Sequence, residues 1–235
     1  MTVTVTPDEG YELNTLTATD ASGNQLTLTG KDNGIYTFTM PASKVDLAAT
    51  FTEIQKAPVN PFTDVKEGEY YYEAVLWAAE NGITEGTSDT TFSPNAPCTR
   101  AQIVTFLWRA AGSPAPKSSS NPFVDVSADA YYYSAVLWAV ENGITNGTGD
   151  GSTFSPDAVC SRSEAVTFLH RAKGSPAAAT HNTFTDVPSG AWYASAVDWA
   201  VEQQITNGTG GNTFSPAADC TRAQIITFLY RAFSK

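Results

Sequence analysis

The chain has 235 residues, 42% hydrophobic and 16% charged, which is enough apolar material to bury a core and argues against wholesale disorder. Its net charge of −11 at pH 7 removes nucleic acid and anionic membrane from the expected partners, because both require a basic surface. No apolar run reaches the roughly 18 residues that a membrane-spanning helix needs, so no membrane insertion is expected.

The first segment, residues 1–52, alternates apolar and polar residues in "TVTV", "LTLT", "YTFTM" and "VDLAATF". The turn signals "SGN" and "KDNG" separate these runs, which predicts a small all-β module without helices. Alternation begins at Thr2 with no basic-then-apolar leader before it. That fits either a cytosolic protein or an excised part of a longer one, and a strand already running at the first residue favours the second. Residues 53–60 read as a linker.

From residue 61 the chain repeats itself. "PFTDV", "PFVDV" and "TFTDV" start at residues 61, 122 and 183, and "TFSP" starts at 91, 153 and 213. The period of about 60 residues marks a tandem array, divided as 61–117, 118–179 and 180–235. Each copy opens with F-x-D-V and an aromatic cluster, followed by apolar residues at helical spacing: "YYYEAVLWAAENGI", "YYYSAVLWAVENGI" and "WYASAVDWAVEQQI". Gly82 and Gly143 suit the left-handed position after a helix. The third copy has Gln204 there, so its cap is expected to be strained or differently built.

The second helix of each copy starts at "CTRAQ", "CSRSE" or "CTRAQ". Thr99 with Gln102, Ser161 with Glu164 and Thr221 with Gln224 have capping-box spacing, and Cys98 stands where a hydrophobic staple would face Ile103. The three cysteines, Cys98, Cys160 and Cys220, fall one per copy, so no copy can close its own disulfide. A small buried hydrophobe accounts for them better than a metal site, since structural zinc takes four ligands.

Arg100, Arg162 and Arg222 then stand out. A cation at a helix N-terminus is unfavourable by roughly 0.3–1 kcal/mol. Its presence in all three copies implies an anion partner. That partner is either a protein carboxylate, such as Asp64, Asp125 or Asp186 of F-x-D-V, or a ligand anion held together with free helix-start N–H groups. Arg109, Arg171 and Arg231 lie nine residues further on and on the opposite helix face, where the helix dipole suffices to explain them. Trp77, Trp138 and Trp199, with Tyr71, Tyr132 and Tyr193, are core residues or sugar-stacking residues by type.

These motifs together resemble the S-layer homology domain family: F-x-D-V, W-A, G-I-x-x-G, T-F-x-P and T-R-A-E, in the family's usual three copies. The resemblance implies a mainly α fold of three helix-loop-helix repeats in a pseudo-threefold arrangement with grooves between neighbours. It implies noncovalent attachment of an exported bacterial protein to the outside of the cell wall, through a secondary cell wall polysaccharide often carrying pyruvate ketals. Under it, Arg100, Arg162 and Arg222 are the residues most associated with binding. The Asp, Trp and Tyr sets above complete the expected glycan site. Departures are the cysteine before T-R, the S-R-S-E of the second copy and the two glutamines. Residues 1–52 resemble internalin B-repeat modules, through "GYEL" and "TFTMPASKV", which implies a spacer.

No cofactor and no enzyme activity are expected. His170 and His181 are the only histidines, and no Ser/His/Asp set, HExxH or phosphate loop occurs. The competing function is self-assembly of a surface protein with the arginines paired internally. A wall hydrolase would need a catalytic module, and any such cargo would lie outside these residues.

Overall fold

The computed structural model describes residues 1–30, 33–54 and 59–234. Part of the expected "KDNG" turn and half of the expected linker lie outside them. The chain divides into two compact units, Met1–Ala57 and Pro58–Lys235.

The first unit is all β among its described residues. Strands β1 (Thr2–Thr4), β3 (Thr29–Gly30) and β4 (Ile35–Thr37) form an antiparallel sheet ordered β1-β4-β3. Strands β2 (Tyr11–Asp20) and β5 (Val45–Glu53) pair as a long antiparallel ribbon, with a register shift between Leu13 and Thr15. "LTLT" is strand only at its end, whereas β2 is the longest strand and its sequence "YELNTLTATD" lacks clean alternation. Asp20 builds the "SGN" turn by accepting from the Ser22 and Asn24 N–H groups at 2.8 and 2.9 Å. The core is thin, with Ala18 and Phe38 its buried apolar residues.

Among its described residues the second unit carries six helices: α1 (Tyr72–Glu80), α2 (Arg100–Ala110), α3 (Tyr133–Glu141), α4 (Arg162–Ala172), α5 (Ala194–Glu202) and α6 (Arg222–Phe233). Helix makes up 27% of the described residues and strand 18%, so the expected mainly α fold holds only loosely, with the six helices confined to this unit. None of the helices is long and apolar enough to cross a membrane. The second helices start as their sequences dictate: Thr99, Ser161 and Thr221 each cap through a complete capping box.

Helix–loop–helix is the repeat in sequence, but the closest packing crosses between copies. Helix α2 packs on α3, α4 on α5, and α6 returns to α1, so the array closes on itself. Helices α2, α4 and α6 also meet one another at the centre. The segment before each second helix reaches the same axis. There the Cys98 N–H donates to the Cys220 carbonyl, Cys160 to Cys98, and Cys220 to Cys160, at 2.8–2.9 Å. Three chain segments thus share one closed ring of backbone hydrogen bonds, and the cysteine side chains are buried beside it.

The first helices end alike. Gly82 and Gly143 have φ of 65°, and Gln204 takes φ of 59° with the same backbone bonds, Ile205 N–H to Ala200 carbonyl matching Ile83 to Ala78. The third cap is therefore strained but not differently built, because the surrounding bonds hold a side-chain-bearing residue in the left-handed region.

Candidate functional site

Each repeated arginine reaches out of its own copy into the next. Arg100 Nε donates to the Phe154 carbonyl, Arg162 Nε to Phe214 and Arg222 Nε to Phe92, each at 2.9 Å. The acceptor is always the Phe of T-F-S-P, and its ring also covers the guanidinium. The charge sits between two rings, Phe154 and Phe168 for Arg100, Phe214 and Phe228 for Arg162, Phe92 and Phe106 for Arg222, at 4.8–5.5 Å from the centroids. A desolvated cation–π contact contributes up to about 2 kcal/mol. This offsets the poor placement at a helix start.

The aspartates of F-x-D-V are not the arginine's partners. Asp64 accepts from the Phe92 and Ser93 N–H groups, Asp125 from Phe154 and Ser155, and Asp186 from Phe214 and Ser215, all at 2.7–2.8 Å. Those bonds hold Ser93, Ser155 and Ser215 at φ of 57–59°. At Asp186, burial raises the carboxyl pKa, the N–H bonds from Phe214 and Ser215 lower it, and the net shift is downward. The aspartates therefore act one step back: they fix the turn whose Phe carbonyl and ring grip the arginine.

The helix starts also have no N–H groups to offer. Arg100, Arg162 and Arg222 N–H donate to the carbonyls of Ala158, Ala218 and Ala96. Ala101, Ser163 and Ala223 donate to Pro156, Pro216 and Pro94. The third N–H goes to the cap hydroxyl. An anion beside the helix start gains no hydrogen bond from these N–H groups.

Three grooves of about 420–430 Å³ open beside these arginines, which are themselves only 3–4% exposed. Every groove is built by all three copies. The first joins Arg100 with the 145–149 loop, Glu164, Phe168, Arg171 and Trp192. The second joins Arg162 with the 206–209 loop, Gln224, Phe228, Arg231 and Tyr70. The third joins Arg222 with the 84–87 loop, Gln102, Phe106, Arg109 and Tyr131.

Two sets of groove residues were not anticipated. The aromatic wall is Tyr70, Tyr131 and Trp192, each 60–65% exposed, one residue before the expected Tyr71, Tyr132 and Tyr193. Tyr71 is buried, and it, Tyr132 and Tyr193 each pack edge-on against the preceding ring. The second set is Arg109, Arg171 and Arg231. They donate to the Ile83, Ile144 and Ile205 carbonyls after the first helices and bring a second guanidinium to each groove.

The tryptophans lie elsewhere. Trp138 and Trp199 are buried, Trp199 against His170, and Trp77 packs on Tyr230 at 5.6 Å. They belong to the packing between helices of different copies and line none of the grooves.

The cysteines carry no reactive chemistry here. Burial pushes the thiol pKa of Cys98 and of Cys220 up to about 12, and that of Cys160 up as well. Among the described residues, no three His, Cys, Asp or Glu side chains are placed to hold a metal ion. In "GTGDGSTF", the Asp150 carboxylate accepts from the Ser152 N–H and hydroxyl, which closes a turn.

Comparison with known proteins places these elements. The model of the S-layer homology domain matches residues 61–104, 122–166 and 183–226, and that of the divergent InlB B-repeat domain matches residues 1–55. A cell surface protein of Thermoanaerobacter kivui is 32% identical over 49% of this chain and 16% of its own length. An amylopullulanase of Thermoanaerobacterium thermosulfurigenes is 29% identical over 74% of this chain and 10% of its own. The surface-layer 125 kDa protein of Lysinibacillus sphaericus is 29% identical over 74% and 15%. The chain thus spans a sixth or less of the length of each of these relatives.

Proposed function

Because the chain belongs to the S-layer homology domain family, we propose that its second unit anchors a surface protein to the bacterial cell wall. The ligand is an acidic, pyruvylated secondary cell wall polysaccharide seated in the inter-copy grooves. One observation carries this reading. Among the described residues, Arg162 and Arg222 have no carboxylate partner and each has an Nη2 without a hydrogen-bond partner, and each lines an open groove. An orphaned buried charged donor is costly unless something accepts from it. A ketal carboxylate is an acceptor of the right charge and size. Beside it, the exposed ring of Tyr70, Tyr131 or Trp192 offers a flat apolar face to a sugar, and Tyr hydroxyls can reach sugar oxygens.

The amylopullulanase and the surface-layer protein each match about three quarters of this chain, although their names describe different tasks. That supports a portable, non-catalytic anchor whose cargo lies in other parts of a longer protein. Several weak grooves on one polymer chain would add avidity.

The internal-pairing alternative has one observation in its favour: Arg100 Nη1 bonds Glu164 at 2.6 Å. It accounts for one arginine of the three.

The test is binding to purified wall polymer by wild type and by Arg162→Lys with Arg222→Lys. Lysine keeps the charge but loses the planar fork. Affinity is expected to fall about tenfold or more, as loss of a charge-assisted hydrogen bond predicts. Removing the ketal should weaken wild type to the same degree. Unchanged binding by the folded double variant, checked by circular dichroism, removes the assignment.

A further inference from the structure

We infer that the three grooves are of two kinds: those of Arg162 and Arg222 accept an anionic sugar, while Glu164 already occupies the anion's place in the groove of Arg100. This inference rests on the glycan-binding reading and adds which grooves carry it and which residue decides.

The deciding position is the third residue of each second helix. In the second copy it is Glu164, and in the other two it is Gln224 and Gln102. Each faces the arginine of the preceding copy: Glu164 shares a groove with Arg100, Gln224 with Arg162 and Gln102 with Arg222. Glu164 uses both oxygens. Oε2 takes the Ser161 N–H at 2.8 Å and its hydroxyl at 2.9 Å, and Oε1 takes Arg100 Nη1 at 2.6 Å.

The glutamines cannot do both. Gln102 Oε1 and Gln224 Oε1 accept from the Thr99 and Thr221 N–H groups at 3.2 Å. What remains is an amide NH2, which only donates. Arginine and glutamine then present donors and no acceptor. The two orphaned Nη2 atoms fall on the two arginines opposite glutamine, and Arg100 is not among them. Glu164 meets Arg100 at Nη1, so a carboxylate placed between Nη1 of Arg162 or Arg222 and the glutamine Nε2 would take the same place there.

The remaining charges agree. The Arg162 groove adds Arg231 and has no acidic lining residue. The Arg222 groove adds Arg109, with the exposed Glu85 carboxylate 3.8 Å from Arg109. The Arg100 groove adds Arg171, but its arginine is neutralised at contact distance. Anion affinity should therefore follow Arg162, then Arg222, then Arg100. The Arg100 groove keeps Trp192 and its loop, and suits an uncharged stretch of the same polymer.

Groove occupancy can be read directly on the whole chain. The Nε–H of all three arginines is bonded to a phenylalanine carbonyl and buried, so its exchange with water is slow enough for nitrogen-15 NMR. The probe is the methyl glycoside of a hexose bearing a 4,6-pyruvate ketal, with the ketal-free glycoside as control. At pH 7 the probe should shift the Arg162 and Arg222 signals and leave Arg100 unmoved. Glu164→Gln should recruit Arg100 with at least a tenfold gain in affinity there. Gln224→Glu should silence Arg162 alone, and Gln102→Glu should silence Arg222 alone. If Arg100 responds in wild type as strongly as the others, or Glu164→Gln leaves it silent while the others respond, the division of grooves is wrong and the glycan reading stands. If no arginine responds in wild type or in Glu164→Gln, both fall.

Discussion

The axis of the helical unit and its grooves are made from the same three copies, yet they tolerate difference very unequally. At the axis, each copy's backbone completes a hydrogen bond of the next, and Cys98, Cys160 and Cys220 are interchangeable members of one ring. A change in one copy there has no private space in which to act. In the grooves each copy meets solvent, and the differences collect: Glu against Gln, Trp192 against Tyr70 and Tyr131, Glu85 beside one arginine. Closure demands identity, and recognition permits divergence.

The sharpest way to break this contrast is to cut into the centre. Leu107 is fully buried where α2 meets α4 and α6. Leu107→Ala should cost about 2–5 kcal/mol in urea unfolding, as for other buried leucines. It should weaken all three grooves together, since each is built by all copies.

Titration of the axis comes next. The folded thiols of Cys98 and Cys220 stay neutral up to about pH 12. In the unfolded chain a thiol ionises near pH 8.5. Their folded values are raised, so their contribution is fully present below the unfolded value and is lost as pH rises through the folded one. Thermal unfolding should fall to lower temperature on going from pH 8 to pH 11. The shift should shrink when the three cysteines are replaced by alanine. Alkylation at pH 8 should proceed only in denaturant.

A smaller effect is expected at the third cap. Gln204→Gly relieves a left-handed residue and should stabilise by about 1 kcal/mol, read as a rise in the urea midpoint. Smallest for stability is the groove wall. Tyr131→Ala removes a ring that is 65% exposed and should change stability by no more than about 0.5 kcal/mol. It should still weaken polymer binding at the Arg222 groove, which puts recognition and closure on separate residues.

How much of this could be read beforehand follows from distance along the chain. The capping boxes, the helix ends and the three arginines were legible because each rests on residues within one turn of helix. The role of the aspartates was half legible. Asp125 does serve Arg100, but through the Phe154 backbone, a relay between copies that no local pattern displays. The aromatic wall was misplaced by one residue because periodicity fixes a register only once the helix has begun, and α1 begins at Tyr72. The substitution of Trp192 where the other copies have Tyr was the available clue, since a position that accepts the larger ring is open to solvent. Arg109, Arg171 and Arg231 were set aside as dipole partners. That they share grooves with the first set depends on how the copies close, with α1 on α6. In the first unit, β2 went unrecognised because its "YELNTLTATD" breaks strict alternation at the register shift after Leu13.

The docking of α6 on α1 has a further consequence for assembly. An open solenoid can grow one unit at a time and needs specialised end units to shield its termini. A closed array needs none, but it leaves no intermediate stopping point. While the last copy is missing, α1 lacks its partner, two of the three cysteine bonds cannot form, and every groove lacks at least one wall. A chain emerging from the ribosome or a secretion channel would therefore acquire binding competence late and all at once, when residues 219–233 arrive.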